Sequence, residues 1–231
     1  AFTVTYQAGD AVSGLQAVGA TLVGDTITSG QMIETLFLPP GPHELIVVAQ
    51  DRAGWQTIRS QPIFVQAQIE GLNSAVTRLG VLGLISGPGA SDVMTGLRAT
   101  PSAAQAARDS GEMTTAVDHL HTFVREVEAQ CPAPISTEAA RILIRGAQYV
   151  TNRLVGEIAV SPVFGGQLSS PDFRITVQFP PSAVETLSVA AYRTLTTTLP
   201  IVLPRFSPVF DLSAYEYDTG DPATYFQQPV T

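Results

Sequence analysis

Lysine is missing altogether: all 12 basic side chains are arginine. Set against 20 acidic residues they leave a formal charge of −8, which provides no basic surface for phosphates and disfavours binding to nucleic acid or anionic lipid. Charged residues are scarce too, 14% against roughly 25% in ordinary soluble domains. The lone cysteine, Cys131, excludes an internal disulfide and any cysteine-based zinc spacing. It stands before a proline at an expected helix end and reads as a capped core thiol, with a reactive thiol as the alternative. No apolar run approaches the ~18 residues of a spanning helix, so no membrane insertion is expected.

The chemistry-bearing residues are equally sparse. The three histidines are His43, His119 and His121. His43 falls in a "PPGPHEL" turn. His119 and His121 are two apart, so on a helix they point in nearly opposite directions and do not share one metal, for which i and i+4 spacing is needed. A structural or surface role is expected for both. No G-x-S-x-G elbow and no P-loop occur, and "GPGASD" at 87–92 lacks the lysine and the preceding strand of a phosphate cradle. The carboxylate pairs Glu126/Glu128 and Glu216/Asp218 read as solvated faces. No catalytic, cofactor or metal residue is assigned, and the chain is expected not to be an enzyme. Calcium is the one ion kept as a candidate, because Asp10, Asp25 and Asp51 all fall in turns; aspartate in turns is equally expected for backbone bonding.

What the chain does have is 45% hydrophobic residues within 231, enough for more than one packed core. Its many Thr, Ser, Gln, Gly and Pro are common in extracellular β-rich proteins. It opens on "AFTVTYQ", which alternates as a strand does and lacks the pattern of a leader peptide. Starting on alanine, it is expected to be a processed or excised chain.

Residues 1–66 read as short strands: "FTVTY" alternates, "HELIVVAQD" places Leu45, Val47 and Ala49 on one face, and turn signals fall between. "AGDAVSGL…TLVGDTITSGQ…LPPGPHELIVVAQDRAGWQT" resembles the bacterial Ig-like modules of secreted multidomain proteins, whose D-x-A-G-N turn closes the last hairpin. Here Asp51 would bond neighbouring amides, Gly54 would take a positive φ, and Trp55 replaces the usual Asn. An indole at that position covers a domain junction or stacks on a sugar.

Residues 67–155 turn helical in period. Ile69, Leu72, Val76 and Leu79 mark one helix, and a second carries "DVMTGL" and continues or restarts at Pro101. In a third, Met113, Val117, Leu120, Val124, Val127 and Cys131 form an apolar stripe. Ser136 caps a fourth, with Glu138 in its first turn. The segment is similar to the FIMAH helical module of large secreted bacterial proteins. Ala116, Leu120, Phe123 and Val127 fill its A-x-x-x-L-x-x-F-x-x-x-V pattern; Ile135, Ser136, Ala140, Leu143, Ile144 and Ala147 fill the helix that follows. "CPAP" stands in place of the usual Gly- or Lys-containing loop. The resemblance implies an accessory module without catalytic residues.

Residues 156–231 return to strands, with "FRITVQF", "TLSVAAYRTL" and "FDLSAYEY". They resemble the ZU-type β domain shared by ankyrins and netrin receptors: Gly165, Gly166, Asp172, Arg174, Pro181, Ala183 and Val184 fit its bacterial pattern, and Ser182 replaces a glycine. The resemblance implies further strands, so this domain is expected to be incomplete or completed by a partner.

The expected architecture is therefore multidomain α and β: a β-sandwich over 1–66, a small α-helical bundle over 67–155, and an incomplete β-sandwich-like domain over 156–231. The expected role is a non-catalytic structural or adhesive segment of a bacterial surface or secreted protein. Its partners would be other domains of the chain, neighbouring subunits, or carbohydrate. Two alternatives accompany it. One is a glycan-binding accessory region of a secreted hydrolase, using Trp55, Tyr215 or Tyr217. The other is a filament subunit assembled by strand donation, with "AFTVTYQ" as donor.

Overall fold

Asp51 closes the longest hairpin. Its amide donates to the Trp55 carbonyl (3.0 Å), its Oδ1 accepts the Trp55 amide (2.8 Å), and Gly54 takes the left-handed φ of 90° that the turn requires. In the computed structural model, which describes residues 1–194, 210–223 and 226–231, this hairpin joins β5 (Gly41–Asp51) to β6 (Gln56–Val65). The chain is mixed α and β, with four helices and antiparallel sheets among the described residues, and divides into two compact units, Ala1–Gln66 and Ala67–Thr231.

In the first unit, β2 (Leu15–Leu22) and β3 (Asp25–Ile27) complete a four-stranded antiparallel sheet of order β3-β2-β5-β6. Short strands β1 (Phe2–Val4) and β4 (Gln31–Ile33) pair separately. The register sets Ala20 opposite Val47 and Val47 opposite Arg59; likewise Leu22, Leu45 and Gln61 lie in one row. Directly paired residues share a face, and the core forms on this one: Val4, Ala20, Leu22, Ile27 and Ile33 are buried together, with Leu45, Val47 and Ile63 packed against them.

Strand β6 lies at the edge of its sheet. The Asp51–Trp55 hydrogen bond fixes the ladder's parity, because bonded and non-bonded pairs alternate along an antiparallel hairpin. Odd residues of β6 therefore bond to β5, and even residues turn their backbone groups outward. Pro62, opposite Glu44, is one of the outward set. Its missing N–H costs the β5–β6 ladder nothing and blunts the open edge.

In the second unit α1 (Ile69–Val81), α2 (Ala90–Asp109), α3 (Met113–Ala129) and α4 (Thr137–Val155) precede β7 (Glu157–Val160), β8 (Gly166–Ser169), β9 (Thr176–Phe179), β10 (Ser188–Thr194) and β11 (Phe210–Glu216). The expected stripe of α1 is buried at all four positions. Helix α2 runs unbroken through Pro101, which is buried, and beside it the Thr100 hydroxyl donates to Glu126 on α3 (2.7 Å). The α3 stripe is buried from Ala116 to Val127 but stops short at both ends: Met113 is 37% exposed and Cys131 half-buried. Ser136 caps α4, its Oγ accepting the Ala139 amide (3.2 Å).

The sequence reading separates 67–155 from 156–231, whereas in the structure the helices and strands of this unit pack together. Gln148 of α4 donates from Nε2 to the carbonyls of Ala159 (2.7 Å) and Gly165 (2.9 Å), and Asn152 Nδ2 donates to Ser169 (3.0 Å). All three bonds are buried; the Gly165 carbonyl also accepts the Ser161 amide (3.0 Å), so Gln148 is its second donor. The switch in hydrophobic period therefore falls inside one compact unit. A three-stranded sheet of order β11-β10-β7 and the β8–β9 pair gather Ile158, Val160, Leu168, Phe179 and Ala190 into a hydrophobic cluster of their own.

The Gly165–Gly166 kink has a steric cause. Gly165 has φ 68°, and a Cβ there would meet the Phe179 carbonyl; a Cβ on Gly166 would sit 2.9 Å from Ile158 Cδ1 and 3.0 Å from Gln148 Nε2. Ser182, at the glycine position of the ZU-type pattern, takes φ 62°. The last residue pairs with β9: Gln178 N donates to Thr231 O (2.6 Å) and Thr231 N to Gln178 O (3.2 Å).

Candidate functional site

At the Leu22–Leu45 end of the first sheet the core face is covered. At the other end β1 has finished, and residues 7–10 continue as one wall of an open trough of about 370 Å³. Val47 and Ala49 of β5 and Leu15 of β2 form an apolar floor, Thr57 and Arg59 of β6 one flank, and Trp55 its end. Trp55 is 79% exposed. Two hydrogen bonds to Asp51 hold its backbone, and the indole beyond them presents an open aromatic face.

Two of the three turn aspartates meet beside this trough. Ser13 Oγ lies 2.5 Å from Asp10 Oδ2 and 2.9 Å from Asp51 Oδ2, so a single hydroxyl proton serves two carboxylates. The Ser13 hydroxyl first, then the Val12 amide, hold the Asp10 carboxyl below its ordinary pKa. Asp25 is elsewhere: it pairs with Leu22, at the opposite end of β2 from the Leu15–Asp51 pair, roughly 20 Å along the strand. The calcium set expected from turns is thus split, and among the described residues no group of three or more acids, histidines or cysteines is placed to hold an ion.

The remaining candidates are not among the residues that line the trough. His43 Nε2 contacts the Pro39 carbonyl (2.6 Å). His119 is half-exposed, while His121 is buried, with no hydrogen-bond partner for Nε2. Burial lowers its pKa from 6.5 to about 4. Tyr217 packs edge-on against His121 and under Arg125, and Tyr215 is half-buried, its pKa raised by burial first and then by Glu157 and Asp118. Neither tyrosine offers the open face that Trp55 does. Glu126 accepts from Thr100. Glu128, its pKa raised by burial, accepts from the Ser161 hydroxyl, which in turn accepts the Phe164 amide (2.7 Å). Glu126 thus ties α3 to α2, and Glu128 ties α3 to the turn after β7.

Arg59 in the trough and Ser13 beside it do not stand out in the sequence. Arg59 has a readable signal: positions 55, 57 and 59 alternate along the hairpin and fall on one face. Ser13 has none, since its neighbours Asp10 and Asp51 meet only through the fold. No protein-family model matches the chain, and no curated protein or solved structure is significantly similar to it.

Proposed function

We propose that this chain is a non-catalytic adhesive segment of a secreted or surface-attached bacterial protein, and that the trough beside Trp55 is its binding face, taking carbohydrate. The observation that carries this reading is the 79% exposure of Trp55 at the end of an apolar-floored, polar-flanked trough. A pyranose offers the matching chemistry, an apolar C–H face for the indole and hydroxyls for Thr57, Gln50 and the backbone around them. The Asp51–Gly54 turn geometry supports the Ig-like reading of 1–66, and the positive φ of Ser182 supports the ZU-type reading of the last strands. The Ig-like and FIMAH-like resemblances are to modules of secreted bacterial proteins, and the FIMAH type is an accessory module without catalytic residues.

The test is a glycan array probed with the whole chain and with Trp55→Ala. The expected result is a restricted set of glycans bound, with the signal lost in the variant. Silence of the array, or full binding by Trp55→Ala, overturns the reading.

A further inference from the structure

Resting on the carbohydrate reading of the trough, we propose that its ligand is an acidic saccharide, a sugar bearing a carboxylate or sulfate, whose apolar face lies on Trp55 and whose anionic group is held by Arg59.

Arg59 lines the trough from an exposed edge strand, and among the described residues its guanidinium makes no hydrogen bond, ion pair or ring contact. Some arginines elsewhere have such partners, Arg108 with Glu70, Arg125 with Asp218 and Arg153 with the Pro171 carbonyl, while Arg52, Arg141 and Arg145 have none among the described residues; what sets Arg59 apart is that it lines the trough that holds Trp55. A planar fork of donors with no protein partner is suited to two oxygens of one carboxylate or sulfate.

Asp10 and Asp51 line the same trough and weigh against an anion, but their oxygens are committed. Asp10 accepts from the Val12 and Ser13 amides and the Ser13 hydroxyl; Asp51 accepts from the Trp55 amide and the Ser13 hydroxyl. Their residual repulsion acts through an open, water-filled space and is screened over about 8 Å at physiological salt. Arg59 makes direct contact, which screening does not remove. A neutral sugar would stack equally well on Trp55 and leave this guanidinium without a counter-charge. The trough is open, so an internal unit of a polysaccharide fits as well as a chain end.

The experiment is an array of uronate-, sialate- and sulfate-bearing glycans beside neutral ones, probed with the whole chain, Arg59→Gln and Trp55→Ala. Both substituted side chains are exposed, and circular dichroism checks that the variants fold. Expected is binding to acidic glycans that weakens with added salt, falls about tenfold or more in Arg59→Gln, and is lost in Trp55→Ala. Binding to neutral glycans only, or acidic binding unchanged by Arg59→Gln, overturns this inference while leaving the carbohydrate reading intact. No binding to any glycan, or binding that survives Trp55→Ala, overturns both.

Discussion

The imidazole of His121 meets the ring of Tyr217 edge-on, at 86° and 5.6 Å between centroids. The contact joins α3 to the turn after β11, and an ion pair from Arg125 to Asp218 (3.0 Å) lies beside it. The histidine is neutral in the fold, since burial lowers its pKa from 6.5 to about 4. An unfolded chain takes up a proton near pH 6.5 and the folded one does not, so stability falls as pH drops from 6.5 towards 4, by about 3 kcal/mol in all. Half-buried Glu128 and Glu157, with raised pKa values, act in the opposite direction over part of the acid range. The clean measurement is therefore a difference, urea unfolding of wild type and His121→Leu at about pH 7 and about pH 4.5. Wild type should lose ground against the variant on acidification. An equal gap at both pH values would rule the account out.

Gly166→Ala should destabilise the second unit by about 1–3 kcal/mol. The new methyl would stand 2.9 Å from Ile158 Cδ1 and 3.0 Å from Gln148 Nε2, displacing the amide that serves two buried carbonyls. Gly96→Ala, with nothing within 4 Å of its Cβ, is the control and should be neutral or slightly stabilising. Chemical denaturation of both variants checks the contrast.

Val23 has φ 54° at the tip of the β2–β3 hairpin, a left-handed conformation that a β-branched side chain adopts only under strain. Val23→Asn should raise stability by about 1 kcal/mol, and so should Ser182→Gly at φ 62°. A lowered melting temperature in either variant would mean that the side chain contributes more than its backbone conformation costs.

Asp51→Ala removes the acceptor of the Trp55 amide and one of the two acceptors around Ser13. It should cost about 1–2 kcal/mol in stability and weaken glycan binding by freeing the hairpin that aims the indole. Asp51→Asn keeps an acceptor oxygen and should retain most of both. Thermal melts with array binding on the same preparations separate the two effects.

Elements with a local cause were legible in the sequence. The α1 stripe, the Ser136 cap and the Asp51–Gly54 turn each follow from a few neighbouring residues, and each has the geometry those residues dictate. His121 was half legible. It lies four residues after Val117 and three before Val124, on the apolar stripe itself, so its burial follows from spacing; the Tyr217 ring against it comes from a distant strand. The trough was not legible. It exists because β1 and β4 are shorter than the sheet they cover, a property of two strand lengths and one register that no single motif encodes. The buried amides of Gln148 and Asn152 were hidden for a similar reason, since a polar residue on a helix reads as solvated until the carbonyls that face it are placed.

Pro62 carries a consequence for crowding. On the proposed surface-attached reading, copies of this chain stand close together, and at high local concentration bare sheet edges fuse into continuous ribbons. A proline at an outward position of β6 interrupts the row of donors that a second strand would need. Copies so displayed would not merge along β6, the strand that carries the trough residues Thr57 and Arg59.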